Sequence, residues 1–249
     1  MAAWIDLHHA LGRLTRDGLF VFLTDNAVGE AEEESLAHVG ANLGDDVDPR
    51  RIVPILTCKH ALEYCTLFAT RAASQGFDTL TVLGGDDSLG PPRCVPHSRD
   101  LRSIIRTRSP GLTLGGWVNP LKDPVSQVGH LTAPGAGIEF ALAQVVSHHS
   151  LAAVERFLEV LEASGSSIPV VFGVFFYRSA NPVTLMTLAR FFPVPAPDIA
   201  REFEAGDEAE EICARSIREL RKVGADKIYV SNLGNRAARA RLRRIRERV

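Results

Sequence analysis

The sequence predicts an α/β fold and, within that class, a (β/α)8 TIM barrel whose first strand is missing or atypical. Three observations carry this. Apolar, β-branched runs alternate with amphipathic helical segments, which implies a parallel sheet. The 249 residues suit one barrel, and no linker-like stretch divides them, so residues 1–249 are expected to form a single domain. No G-x-G-x-x-G follows the first apolar run, which counts against an open dinucleotide-binding sheet.

Taken in order, residues 4–14 read as a helix and residues 19–24 as the first strand. Residues 52–57 form the next strand and run into Cys58. Residues 61–74 place Leu62, Cys65, Leu67, Phe68 and Ala72 at mostly helical spacing. The strand at 79–83 stops abruptly at Gly84, Gly85, Asp86 and Asp87. Glycines at such a strand end let the backbone approach a ligand closely. Further strands are expected at 112–118, 138–144, 170–176 and 227–231. The helix at 151–164 carries Val154, Phe157, Leu158 and Leu161 on one face and stops at Gly165; that at 209–223 carries Ile212, Ile217 and Leu220 and stops at Gly224. Residues 90–96 and 193–197 are proline-rich and read as loops over the barrel mouth. This makes seven strands where a barrel needs eight, and the chain opens on a helix. Either something else fills the gap or the chain has a partner, a second copy or a different chain.

Composition narrows the class. At 45% hydrophobic and 23% charged, the chain has an ordinary globular balance. A net charge of -2 gives no electrostatic case for nucleic acid. The arginine-dense segment 236–248 reads as a solvated face over Leu242 and Ile245. The four cysteines, Cys58, Cys65, Cys94 and Cys213, form no C-x-x-C pair, so neither a metal site nor a disulfide framework is expected. The N-terminus lacks the pattern of a signal peptide, and no apolar run reaches the roughly 20 residues that span a bilayer. The expectation is a cytoplasmic protein with no membrane contact.

Asp86 leads the candidates for chemistry. A carboxylate at a barrel strand's C-terminal end stabilises a developing cation or moves a proton. The competing reading is a solvated turn in which Asp87 caps a helix. Gln144 ends an otherwise apolar strand, and its amide donates and accepts together, which suits a heterocycle such as a pterin. The alternative is a bond to loop backbone. His148 and His149 are adjacent, not spaced i and i+4 as helical metal pairs are, so Ser147 or Ser150 as a helix cap is the favoured reading there. Trp117 either stacks on a flat ring or belongs to the core. Arg178 suits a carboxylate, in a segment where Asn181 caps a helix that Pro182 begins.

The strand ends resemble the methylenetetrahydrofolate reductase family from about Leu19 to the C-terminus. The matching pieces are Leu23-Thr24-Asp25, Leu56-Thr57-Cys58, Leu83-Gly84-Gly85-Asp86, Glu139 to Gln144, Val170 to Val174 and Tyr229 to Asn232. Each is weak alone, and their order and spacing make the match. The resemblance implies reduction of 5,10-methylenetetrahydrofolate to 5-methyltetrahydrofolate. It implies that Asp86 faces the folate and favours its cationic iminium form, with Gln144 on the pterin. Thr57, Asn119, Tyr177 and Arg178 would join Gln144 on the substrate, and Thr24, Trp117 and Asn232 would meet the cofactor.

The departures fall on the flavin side. The family's Arg-Gly-Asp reads Gly84-Gly85-Asp86, its His-Leu-Thr-Cys reads Ile55-Leu56-Thr57-Cys58, and its Tyr-Pro-Glu reads Trp117-Val118-Asn119. This looks closest to the flavin-independent, mycobacterial-type branch, with NADH or NADPH as hydride donor, and it counts against FAD. The family's first-strand glutamate, its general acid, has no counterpart, because the chain begins after that strand. A diverged barrel that binds folate without reducing it, or serves as a partner subunit, is therefore the rival reading. A lyase or aldolase ranks last, because Lys59 and Lys122 follow strand ends and no interior lysine is placed for a Schiff base.

Overall fold

The computed structural model describes residues 2–24, 47–85 and 91–249. The elements are α1 (Ala2–Arg16), β1 (Val21–Leu23), β2 (Ile52–Thr57), α2 (Leu62–Ser74), β3 (Thr79–Leu83), α3 (Ser98–Arg108), β4 (Thr113–Val118), α4 (Pro124–Thr132) and β5 (Phe140–Val145). There follow α5 (Leu151–Ala163), β6 (Val170–Phe175), α6 (Pro182–Leu188), α7 (Ala196–Glu204), α8 (Ala209–Lys222), β7 (Ile228–Ser231) and α9 (Ala238–Arg246). Strand order follows chain order from β1 to β7, the α/β alternation of the TIM-barrel class. All seven expected strands are present, each within two residues of its expected bounds.

The chain divides into two compact units, residues 1–117 with 133–141, and residues 118–132 with 142–249. In the first, β1 pairs β2 in parallel with Val21 opposite Ile52, β2 pairs β3 with Ile55 opposite Thr81, and β3 pairs β4 with Thr79 opposite Thr113. Every residue of β2 is buried, which its unbroken apolar run requires of a strand covered on both faces. Cys65, Phe68, Ala69 and Ala72 of α2 pack on this sheet with Leu11 of α1 and with Leu101 and Ile105 of α3. Arg102 is also buried there. Its Nε donates to the Ala136 carbonyl at 2.7 Å and its Nη1 to the Val82 carbonyl at 3.2 Å, which ties α3 to β3 and to the approach to β5. Desolvation pulls that guanidinium down to about 10. β4 is glycine-rich for a packing reason. A Cβ on Gly115 would lie 2.3 Å from the Phe140 ring, and one on Gly116 2.6 Å from Ile138.

In the second unit, β6 pairs β7 in parallel with Gly173 opposite Tyr229. Val154, Phe157 and Leu161 form the buried face of α5, and Phe157 meets Phe172 edge-on at 6.2 Å. Gly165 and Gly224 take positive φ of 68° and 93° after α5 and α8, as stops that only glycine accepts easily. Asn181 caps α6, its Oδ1 accepting from Thr184 N at 3.1 Å, and Pro182 is the first helical residue.

One expected loop is corrected. Residues 193–197 are not wholly loop, because Pro195 is the N-cap of α7 and Pro197 lies in its first turn. A proline in a helix's first turn forfeits no hydrogen bond, so proline density there marks a start.

Candidate functional site

In the first unit the expected site residues lie at strand ends. Thr57 closes β2 and is buried, Thr24 follows β1 and is exposed, and Trp117 is half-buried near the end of β4. Asp86 and Asp87 lie outside the described residues. The turn that leads to them is described, and it corrects one expectation. The space above its glycines is filled by this chain's own side chains. A Cβ on Gly84 would lie 2.9 Å from Arg93 Cζ, and one on Gly85 2.6 Å from Lys59 Cγ. Arg93 donates from Nε to the Gly84 carbonyl and from Nη2 to the Gly85 carbonyl, both at 2.9 Å. Lys59, buried, donates from Nζ to the Pro91 carbonyl at 3.0 Å. Two cations thus flank the segment before Asp86. Sequence reasoning missed Arg93, whose one signal is its place in the proline-rich stretch that follows the two aspartates.

In the second unit, Gln144 is half-buried near the end of β5. Its Oε1 accepts from Val145 N at 2.9 Å. This is a bond to backbone, close to the alternative left open by the sequence; it takes one of the oxygen's two lone pairs and fixes the amide's orientation. Its NH2 donates to no other described residue. Asn119 is committed to backbone, with Oδ1 accepting from Leu121 N at 3.0 Å and its own N donating to Gln127 Oε1 at 2.8 Å. Tyr177 is buried in an apolar cluster with Leu185, Ile199 and Ile212, where burial pushes its phenol well up. That environment gives Tyr177 a packing role.

Arg178 and Asn232 are brought together. Arg178 Nη2 donates to the Asn232 carbonyl at 3.1 Å and lies 3.4 Å from its Oδ1, while Asn232 Nδ2 donates to the Phe176 carbonyl at 3.0 Å. Asn232 has φ of 66°, the left-handed conformation that asparagine tolerates best among residues with a side chain. Arg241 reaches the same loop, Nη1 donating to the Leu233 carbonyl at 2.5 Å with its guanidinium 5.6 Å from the Phe176 ring centre. Two guanidiniums therefore hold the loop after β7.

His148 and His149 occupy a 3-10 turn after β5. The expected serine capping is present, with Ser147 Oγ accepting from His149 N at 3.3 Å and Ser150 Oγ accepting from Ser147 N at 3.0 Å. The turn also does what the spacing argued against. It sets the two rings 3.9 Å apart and brings His148 Nε2 to 2.7 Å and His149 Nε2 to 3.4 Å from the oxygens of Glu202. The i and i+4 rule belongs to α-helices, and this is not one.

No family model matches the chain, and no curated protein matches it. Among solved structures it is similar to an uncharacterized protein from Clostridium thermocellum that binds two copies of 5-methyl-5,6,7,8-tetrahydrofolic acid, with TM-score 0.63 and 15% identity over 97% of this chain and 89% of that one. It is also similar to an aldo-keto reductase from Bacillus halodurans, with TM-score 0.51 and 11% identity over 96% of this chain and 80% of that one. The carboxyl transferase domain of Rhizobium etli pyruvate carboxylase gives 0.52 and 13%, over 91% of this chain and 36% of that one. At such identities the likeness establishes the fold class, a TIM-barrel-type α/β protein.

Proposed function

We propose that this chain binds a reduced folate at the C-terminal ends of its strands. We further propose that it reduces 5,10-methylenetetrahydrofolate to 5-methyltetrahydrofolate with hydride from NADH or NADPH, without flavin. The observation that carries the reading is the Gln144 amide. Its oxygen is held by backbone, and among the described residues its NH2 meets no acceptor. A donor fixed in this way suits a flat heterocycle with carbonyl and ring-nitrogen acceptors, as a pterin has. The fold likeness to a protein that binds 5-methyltetrahydrofolate supports a folate over other heterocycles.

The chemistry would fall to Asp86. Opening the methylene bridge would break its bond to N10, which takes a proton from solvent, and leave a cationic iminium on N5, which a carboxylate in a water-poor site would stabilise more than water does. Hydride from the nicotinamide then adds to the iminium carbon and makes the methyl group. Arg178, beside the loop after β7, suits a substrate carboxylate. On the flavin side, Arg93 brings a guanidinium back beside Gly84, but two of its nitrogens are engaged by backbone carbonyls. That supports a reaction without FAD.

The test is NADH oxidation with methylenetetrahydrofolate, compared with Asp86→Asn. Turnover should fall about 10²-fold, the scale of losing one preorganised electrostatic contact, with folate affinity little changed. Wild-type protein that binds folate and consumes no NADH or NADPH would replace the reductase with the non-catalytic folate-binding barrel.

A further inference from the structure

We infer that His148, His149 and Glu202 form a binding site for a divalent late first-row transition ion, with Zn2+ the best match to their chemistry. Their donor atoms, one from each residue, all lie within 4.8 Å of one another. Zinc bonds of about 2.0–2.1 Å to imidazole nitrogen and carboxylate oxygen place tetrahedral ligand atoms about 3.3 Å apart. The rings reach different oxygens, His149 Nε2 lying 3.4 Å from Glu202 Oε2 and His148 Nε2 2.7 Å from Oε1, so binding one ion requires the carboxylate to turn and His148 to retreat by about half an ångström. A shift of that size is within the reach of a rotamer adjustment.

The pairing itself points to a cation. Glu202 Oε1 already accepts from Arg215, so one imidazole there would complete that oxygen. Here two rings, 3.9 Å apart and tilted by 42°, both aim Nε2 at the same carboxylate. Two protonated rings that close repel each other.

The surrounding groups are those that orient metal ligands. His148 Nδ1 is 2.8 Å from Ser216 Oγ, a contact that fixes the ring and the role of the other nitrogen. Arg215 Nη1 donates to Glu202 Oε1 at 2.8 Å, and its Nη2 is neutralised by Asp207 at 2.8 Å. Around the two rings, the carboxylates of Glu202 and Asp207 outnumber the one guanidinium of Arg215. The ligands stand on the turn after β5 and on α7, backed by Ser216 and Arg215 of α8, all within one compact unit. Their side chains are 10–22% exposed, which leaves a path for the ion and for a water as fourth ligand. Two histidines, one carboxylate and one open position is a zinc ligand set.

The test uses the full chain and Zn2+ alone, with no folate, so it stands or falls apart from the folate reading. Wild type is titrated with Zn2+ against a chromophoric chelator, and bound metal is counted after desalting. The expected result is about one Zn2+ per chain. His149→Ala and Glu202→Gln should each weaken binding tenfold or more, and Glu202→Gln keeps an acceptor in place should His149→Ala fail to fold. A double variant at His8 and His9 should bind like wild type, and Zn2+ should raise the melting temperature of wild type but not of His149→Ala. The inference is overturned if wild type shows no saturable binding near one equivalent. It is overturned equally if both site variants hold Zn2+ as tightly as wild type, which would make the cluster a hydrogen-bonded one only.

Discussion

The Tyr229 hydroxyl donates to the Ala143 carbonyl at 2.9 Å, reaching from β7 over Gly173 of β6 to β5. The residue beneath it has to be glycine, because a Cβ on Gly173 would lie 2.5 Å from that oxygen and 2.6 Å from Cζ. A tyrosine ring cannot yield as the end of a flexible chain does. Gly173→Ala should therefore destabilise the protein by about 1–3 kcal/mol, and Tyr229→Phe by about 1 kcal/mol for the lost hydrogen bond. Urea unfolding followed by circular dichroism measures both. A Gly173→Ala protein as stable as wild type would contradict the packing described. Gln144 neighbours this bond in sequence, so the same variants show how far strand packing supports the proposed donor.

Gly115 and Phe140 form the corresponding pair in the first unit, where a Cβ added to the glycine would stand 2.3 Å from the ring edge. Gly115→Ala should cost about 1–3 kcal/mol. Adding Phe140→Leu should recover part of that loss, since residues in direct contact do not act additively. Strict additivity in the double variant would show that the two do not share a contact.

Asn232 is the one described residue other than glycine with positive φ. Both Asn232→Gly and Asn232→Ala lose the Nδ2 bond to the Phe176 carbonyl, and the alanine variant should be the less stable of the two by about 1 kcal/mol or more, because alanine resists the left-handed region. The measurement is the shift in urea midpoint at constant slope. Equal midpoints for the two variants would contradict a strained loop.

Burial pushes the Cys58 thiol up to about 11 and the Cys213 thiol up to about 12. The thiolate is the reactive form, so iodoacetamide at mildly alkaline pH should label half-buried Cys94 first and spare Cys58 and Cys213 in the native protein. These folded values lie above the ordinary thiol range. The stability the two thiols contribute is therefore complete at neutral pH and is lost as pH rises through that range toward their folded values. Peptide mapping after limited alkylation reads the order. Early labelling of Cys58 would contradict its burial.

The strands were legible because each is a short apolar run closed by a polar residue or glycine, as at Thr57 and Gln144. Several helices were not. In α3 the apolar residues are few among arginines and serine, and one of the side chains turned inward is Arg102, which no hydrophobic periodicity registers. The start of α7 is written in prolines, which read as loop until their place in the first turn is seen. Among site residues, Gln144 sits at the strand end where its position in the sequence put it. The capping by Asn181 and by the serines around His148 was equally readable from local order. Arg93 over Gly84, Lys59 over Gly85 and Glu202 against the two histidines were not, because each contact joins residues 9 to 54 positions apart or depends on a side chain folding back over a turn. Tyr177 has the composition of a binding residue and the surroundings of a core residue, and only packing tells these apart.

The central claim is that the Gln144 amide donates to a reduced folate. Calorimetric titration of wild type and Gln144→Glu with 5-methyltetrahydrofolate tests it most directly. The substitution keeps an oxygen to accept from Val145 N and replaces the NH2 donor with a second acceptor. The account predicts saturable binding to wild type and affinity at least about tenfold weaker in the variant, the scale of one unmet polar contact, with unchanged circular dichroism. No binding to wild type, or equal affinity in the two proteins, would contradict it.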